Sequence, residues 1–264
     1  LEAHLGVRLF NRSPRALALT DAGARYLQQV AHIETDLARA HAAASEQANE
    51  PAGPLRIACT RAFGRHVLAP MLPGLQRRHR QLQIELHLSD RAVRHAEEAV
   101  DASIRIGEQM HDGLVARPLA RIPFVFCAAP AYLAQAGVPQ APEQLATHRC
   151  LLYRFPTEGR LLRWAFTRED RRYEPSLTPA MVSDDIDALA ELAAAGAGIT
   201  RLAQFVAEPY LRDGRLQAVL ADGPGWAHER MQVAFCVSDR RDFTPRVRAL
   251  HQHLQTHLPS AWQV

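Results

Sequence analysis

From Thr20 to about Ala48 the chain runs without proline, and Tyr26, Val30, Ile33, Leu37, Ala40 and Ala44 follow one another at spacings of 4, 3, 4, 3 and 4. That is the seven-residue seam of a helix that buries one narrow face against another helix, and Glu34, Asp36 and Arg39 fall off it. Packing on its own domain would also satisfy such a stripe. However, Glu50-Pro51-Ala52-Gly53-Pro54 follows at once and detaches the helix from what comes after. The seam predicts dimerisation through Tyr26, Val30, Ile33 and Leu37, with a different kind of structure on either side of the helix.

Before the helix, Leu1 to Phe10 reads as the end of an amphipathic helix stopped by Gly6. Asn11-Arg12-Ser13-Pro14-Arg15 is turn chemistry, and Ala16-Leu17-Ala18-Leu19 returns as a short strand. Two short strands about a basic tip describe a wing. Thr20 then caps the long helix, with Asp21 favoured in its first turn by the helix dipole. The chain begins at Leu1, inside what reads as a helix, so a fragment of a longer protein is expected.

After the linker, strands alternate with helices, which predicts an α/β domain with a mostly parallel sheet. Strands are expected at Leu55–Cys59, Ile84–Leu88, Ala102–Gly107 and Leu114–Leu119, with helices at Gly64–Arg80 and around Arg91–Val100. A second set begins at Pro123–Cys127 and continues with strands near Cys150–Tyr153 and Trp164–Thr167, a helix Ile186–Ala195 preceded by Ser183, and strands Ile199–Leu202 and Met231–Ser238. Thr244-Pro245 opens a last amphipathic helix carrying Val247, Leu250, Leu254 and Leu258.

Composition narrows the function classes. With 264 residues, 47% of them hydrophobic and 22% charged, the chain is long enough for two packed domains, and disorder is not the default. No apolar run reaches eighteen residues and no signal-peptide pattern opens the chain, so a cytoplasmic protein without membrane contact is expected. A net charge of +3 is too small to identify a polyanion partner. Cys59, Cys127, Cys150 and Cys236 form no CxxC pair and read as buried thiols; a redox pair of Cys127 and Cys236 is the alternative, should their strands be neighbours. His251, His253 and His257 lack an evident third ligand partner and read as a solvated helical face, so no metal and no cofactor are expected. Neither a nucleophile elbow nor a phosphate-cradling loop is present, which speaks against an enzyme.

With these elements in place, the chain resembles the LysR-type transcriptional regulators along nearly its whole length. Leu1-Glu2-Ala3-His4-Leu5-Gly6-Val7-Arg8-Leu9-Phe10-Asn11-Arg12 is similar to the end of that family's recognition helix and the start of its wing. Leu19-Thr20-Asp21-Ala22-Gly23 is similar to the junction of wing and linker helix, and Asp101–Gly107, Ala116–Leu119 and Ala129–Leu133 to recurrent stretches of its effector domain. The resemblance implies an α/β fold: a two-lobed, periplasmic-binding-protein-like effector domain, preceded by a long linker helix and the remnant of a winged helix-turn-helix. Residues 1–20 would be that remnant, 21–49 the dimerisation helix, 55–121 with 238–264 the first lobe, and 122–237 the second, with crossings near Ile122 and Ser238. It also implies double-stranded DNA as partner of the full-length protein, a small-molecule effector with organic acids among the candidates, and a homodimer or homotetramer.

Site residues follow from that frame. Arg8, Arg12 and Arg15, with Asn11, Ser13 and Thr20, are expected to meet phosphates or the minor groove, while the base-reading part of the recognition helix precedes Leu1. For the effector, the turn Thr60-Arg61-Ala62-Phe63 and the helix start Ser183-Asp184-Asp185 are expected to offer backbone N–H groups and side chains across the cleft, with Arg61 available to a carboxylate. Ile106, Phe155 and Arg201 are weaker candidates for its wall. Two other readings stay open: a solute-binding protein of a transport system, which would need an export signal and no seam helix, and a small-molecule-binding α/β enzyme.

Overall fold

The computed structural model describes residues 1–13, 16–26, 30, 50–91, 95, 98–107, 113–168, 171–221 and 226–264; of residues 11–13 and 16–18 only the backbone is described. Arg15, Ile33, Leu37, most of the expected seam and much of the expected helix at Arg91–Val100 lie outside these residues. Tyr26 and Val30 are helical and half-buried.

A short helix α1 (Glu2–Leu5) ends at Gly6, whose left-handed φ of 68° reverses the chain. The hairpin β1 (Phe10–Ser13) and β2 (Ala16–Leu19) follows, so the first strand reaches further into the expected turn than its residues suggested. Residues 21–26 begin the next helix, α2.

The body of the protein is a nine-stranded sheet. Its first parallel set contains β3 (Gly53–Cys59) between β4 (Leu82–Leu88) and β5 (Ala102–Ile106). Its second contains β7 (Arg149–Tyr153) between β10 (Thr178–Ser183) and β11 (Ile199–Ala203). Two antiparallel strands join them, β6 (Val115–Ala128) and β14 (Arg230–Val237). Along β6 the partners change: Val115 to Pro123 pair with β14, whereas Phe124 to Cys127 pair with β11. A short strand β12 (Gln217–Val219) also pairs with the far end of β6. Strands β8 (Phe166–Arg168), β9 (Arg171–Tyr173) and β13 (Ala227–His228) form a separate small antiparallel sheet.

Strand β14 departs from expectation. The sequence grouped Met231–Ser238 with the second set, yet Val233 to Cys236 pair with Ile106 to Ser103 of β5, so the strand belongs to the first set and the chain has returned before Arg230 rather than near Ser238. Its buried Val233, Ala234, Phe235 and Cys236 match a strand covered on both faces, which is why alternation gave no clue to its neighbours. The same register separates the two thiols: Cys236 lies opposite Ala116, eleven residues along β6 from Cys127. Burial pushes the thiols up, Cys127 to about 12 and Cys236 to about 11. A redox pair of these two is thereby excluded.

Helix α3 begins as Arg61–Phe63, widens into a π segment at Gly64–Leu68 and continues as Ala69–Arg78. Gly64 has to be small: a Cβ there would lie 2.2 Å from Leu88 Cδ2 and 2.9 Å from Cys59 Sγ. Helices α4 (Pro130–Ala136), α5 (Ile186–Ala194), α6 (Gln204–Arg212) and α7 (Pro245–His257) complete the layers. One core runs from Leu55, Ile57 and Phe63 to Leu151, Leu189, Leu202 and Val206, and a second gathers Phe126, Trp164 and Phe166. Phe126 stacks on Phe166 at 5.0 Å and meets the edge of Trp164 at 5.1 Å. Each such side chain contributes roughly 1.5–3 kcal/mol by leaving water.

Of the three histidines on α7 only His257 is exposed as expected, and the other two are not part of a solvated face. His251 is buried between the rings of Phe235 and Phe243, and the buried His253 donates from Nε2 to the Met71 carbonyl at 2.9 Å. Both face the first set, because Val247, Leu250 and Leu254 turn that side of the helix inward.

Candidate functional site: a hairpin and a cleft

The amino-terminal hairpin is pinned at its base. One carboxylate oxygen of Glu2 accepts the N–H groups of Leu9 at 2.6 Å and Phe10 at 2.9 Å. The Thr20 hydroxyl donates to the Arg8 carbonyl at 2.7 Å and accepts the Gly23 N–H at 2.9 Å, capping α2 while tying it to the hairpin. Gly23 is held close: a Cβ on it would lie 2.0 Å from the Leu9 carbonyl oxygen. Thr20 therefore differs from its expected role, since its only hydroxyl proton is spent on the Arg8 carbonyl rather than kept for a phosphate. Arg8 is exposed. Asn11, Arg12 and Ser13 lie on β1 opposite Ala18, Leu17 and Ala16, and their side chains lie outside the described atoms, as does all of Arg15.

At the carboxyl end of β3 the chain turns at Thr60 into α3. Its hydroxyl oxygen is buried and has no hydrogen-bond partner among the described residues. Arg61 donates its N–H to Asp90 at 3.0 Å, and its guanidinium stands 3.8 Å from the same carboxylate. At the end of β10, Ser183 lies opposite Tyr153 and accepts the Asp185 N–H at 3.1 Å. The cap of α5 is Asp185, whose carboxylate accepts the Ala188 N–H at 2.9 Å.

These two helix starts face each other. Burial raises the Asp90 pKa, and the charges of Asp185 and Asp184 raise it further, against the pull of Arg61. Tyr153 is raised by burial and then by the same three carboxylates. Direct contacts span the gap as well. Arg65 reaches Asp187 Oδ2 at 2.6 Å and His66 Nε2 lies 2.8 Å from Asp187 Oδ1. The His66 hydrogen bond is the main reason that Asp187 sits below the ordinary carboxylate range.

Thr60, Arg61, Ser183, Asp184 and Asp185 are thus brought together, and three expected residues are not. Phe63 is fully buried and packs edge-on against Phe205 at 5.7 Å, while Ala62 is buried beside it. Both belong to the core because α3 turns its apolar side inward. Arg201 is sealed under Phe124 at 3.9 Å, donates to the Arg163 carbonyl at 2.8 Å and stands 3.7 Å from Glu229. With its side chain 1% exposed, it neither lines the cleft nor neutralises its acids. Phe155, half-buried under the Arg160 guanidinium at 4.1 Å, packs edge-on against Tyr153 at 5.3 Å and so stands beside the site. Ile106, by contrast, ends β5 half-buried against the main core. Reasoning from sequence missed Asp90, Tyr153, Arg65, His66 and Asp187. Each comes from a loop, strand end or helix surface with no motif of its own, and only the meeting of the two sets puts them in one place.

Comparison with known proteins fixes the class. The family profile described as the LysR substrate binding domain matches residues 48–259. The chain belongs to the LysR family. The similar LysR proteins include CrgA, an HTH-type transcriptional regulator of Neisseria meningitidis, 33% identical over 84% of this chain and 73% of that protein. An HTH-type transcriptional regulator of Haemophilus influenzae is 30% identical over 95% of this chain and 85% of its own length. Among solved structures, CrgA superimposes with a TM-score of 0.67 at 28% identity, covering 97% of this chain and 85% of that one. The full-length virulence activator AphB of Vibrio cholerae, with a TM-score of 0.68 at 23% identity over 97% and 86% of the two chains, shares the LysR fold.

Proposed function

We propose that this LysR-type transcriptional regulator takes its small-molecule effector between the helix starts at Thr60 and Ser183–Asp185. The observation that carries the reading is the Thr60 hydroxyl, buried at the end of β3 without a hydrogen-bond partner among the described residues, on the side where Asp90 meets the charges of Asp184 and Asp185. A buried polar atom left unpaired costs about 1–3 kcal/mol, and a ligand that supplies the missing hydrogen bond recovers it. The carboxyl ends of β3 and β10 are where α/β sheets admit ligands. An effector that fits both sides binds one arrangement of the lobes better and shifts the population towards it.

Effector charge follows from the neighbours. Asp90, Asp184 and Asp185 stand against Arg61, which Asp90 already holds, and Arg201 is elsewhere. An organic acid would have to take Arg61 from Asp90, so amino acids and amines belong in the test beside organic and aromatic acids. A thermal-shift screen of the chain against these classes is expected to give a stabilising ligand. Thr60→Ala should weaken that ligand by about tenfold, the loss of one buried hydrogen bond. An unchanged shift in Thr60→Ala would remove this turn from the pocket.

Residues 1–20 are read as the wing side of a DNA-binding domain that meets double-stranded DNA in the cytoplasm, with Arg8, Asn11, Arg12, Ser13 and Arg15 towards the phosphates and Thr20 as their support. Residues 21–49 are read as the helix that pairs two copies into a homodimer, or two such pairs into a homotetramer. The reading is regulation rather than catalysis or transport. The first lobe is taken as β3, β4, β5, β14, the near part of β6 and α7, and the second as the strands from Phe124 to His228. Leu37→Asp places a charge in the seam, and the expected result is a fall in sedimentation mass at micromolar concentration. An unchanged mass would move the contact off this helix.

A further inference from the structure

A second recess lies where β6 changes partners. Strand β14 meets β6 at Arg230 opposite Pro123, and β12 meets it at Val219 opposite Phe126. Between those two pairings a cavity of about 220 Å³ opens against β6, and none of its lining residues is among those of the cleft. Its inner walls are apolar. Phe126 and Val219 are buried, and the half-buried Phe124 ring, which Arg201 covers at 3.9 Å, also lines the space.

Two polar side chains complete the lining. His228 meets the Phe126 ring edge-on at 5.1 Å, and Arg230 is exposed, its side chain without a hydrogen bond or ion pair among the described residues. Glu229 stands between them in sequence but turns to Arg172 at 3.3 Å and Arg201 at 3.7 Å. Among the described residues no acid lines the cavity, so its charge is positive. Beside it Leu220 holds a left-handed φ of 51° while buried in the second core. A leucine keeps that conformation only where its surroundings force it, and such strain concentrates at ligand sites.

We propose that this cavity is a second small-molecule site, which takes an aromatic monocarboxylate of about benzoate size, its ring against Phe124 and Phe126 and its carboxylate on Arg230. Size sets one limit. A dry cavity of roughly 150 Å³ accepts benzene, so the space here holds one ring with its carboxylate. Aromatic walls favour a ring in offset or edge-on contact. Charge sets the other limit: an acid meets three carboxylates at the cleft, Asp90, Asp184 and Asp185, and an unpaired arginine here. The site does not depend on the reading of the cleft. Because β12 and the start of β14 reach neighbouring positions of β6, a bound acid joins all three strands, which gives the regulator an input separate from its cleft.

The test uses the whole chain and para-fluorobenzoate, followed by fluorine NMR, with para-fluorobenzyl alcohol as the uncharged counterpart. Saturable binding of the acid is expected. Arg230→Gln should weaken the acid roughly two- to fivefold, the range of one exposed ion pair, and leave the alcohol unchanged. Ala218→Trp brings an indole into the cavity from an exposed position on β12 and should weaken both probes by more than about tenfold at an unchanged melting temperature. Ala221→Trp, at a second exposed position of the lining, should do the same and guards against a local disturbance of β12. Thr60→Ala should change neither probe. No saturation by the acid, or undiminished binding in both tryptophan variants, overturns the site. Binding lost in Thr60→Ala but kept in the tryptophan variants places the acid in the cleft and overturns it equally.

Discussion

Asp101→Asn is expected to lower stability by about 3–5 kcal/mol, the cost of leaving one charge of a buried pair without its partner. The side chains of Asp101 and Arg246 are only 15% and 8% exposed, and they meet at 2.8 Å between the start of β5 and the first turn of α7. The other Asp101 oxygen accepts the Arg56 N–H at 2.8 Å, while Arg56 returns its carbonyl to the Asp101 N–H. Asparagine can keep its oxygen for the Arg56 N–H, but its amide NH2 then faces Arg246, so the arginine loses both the countercharge and its acceptor and the loss reports on Arg246. Thermal melting should fall by about 10 °C for a chain of this size. Adding Arg246→Met, which takes away the stranded cation, should recover much of the loss. A single variant that melts with the parent protein would show that water already solvates this arginine.

The second large effect is expected at Gly198, just before β11. A Cβ there would lie 2.3 Å from the Arg149 carbonyl oxygen and 3.0 Å from its carbon. Both neighbours are backbone, so no side chain can swing aside and Gly198→Ala must push β11 from β7. Those strands are in register only at Ile199 with Cys150 and Thr200 with Leu151, a short ladder to carry the strain. A loss of about 3 kcal/mol is expected, at the upper end for overpacked sites, read as a lower denaturant midpoint. Gly196 is the control. Its φ is 85° but a Cβ there would meet nothing within 4 Å, so Gly196→Ala should cost only the left-handed penalty of about 1–2 kcal/mol. Equal losses at the two sites would mean that the close approach to Arg149 is relieved by the surrounding sheet.

Elements with local causes were readable in the sequence. Gly6 ends α1 because a left-handed residue was needed, Thr20 caps α2 through its own hydroxyl, and Pro245 opens α7 where no donor is needed. The β3 turn at Thr60 was visible for the same reason, as a strand of buried residues giving way to helical spacing. What escaped was set by partners far along the chain. Strand β10 is exposed along nearly its whole length and carries a proline, so neither alternation nor an apolar run announced it. Arg201 was legible as a lone cation near a strand end, yet stacking on Phe124 and pairing with Glu229 draw it into the interior. His66 and Asp187 stand 121 residues apart, and no spacing rule reaches across that distance.

The joined strands β6 and β14 carry a consequence for how motion travels. They pair from Val115 to Pro123 with a register shift between Val233 and Ala234, where Leu119 of β6 is the extra residue. Outward and return passages of the chain are thus neighbours in one ribbon rather than tethers at opposite ends of a gap. A ribbon of two strands resists stretching but yields to torsion, so β6 and β14 are the natural axis of twist within the one nine-stranded sheet. Gly53, at the end of the linker, and α7 both attach on the β3 side of the ribbon. Torque from the cleft is therefore shared between this ribbon, with its extra residue Leu119 on β6, and the direct contacts of α3 with α5 and α6.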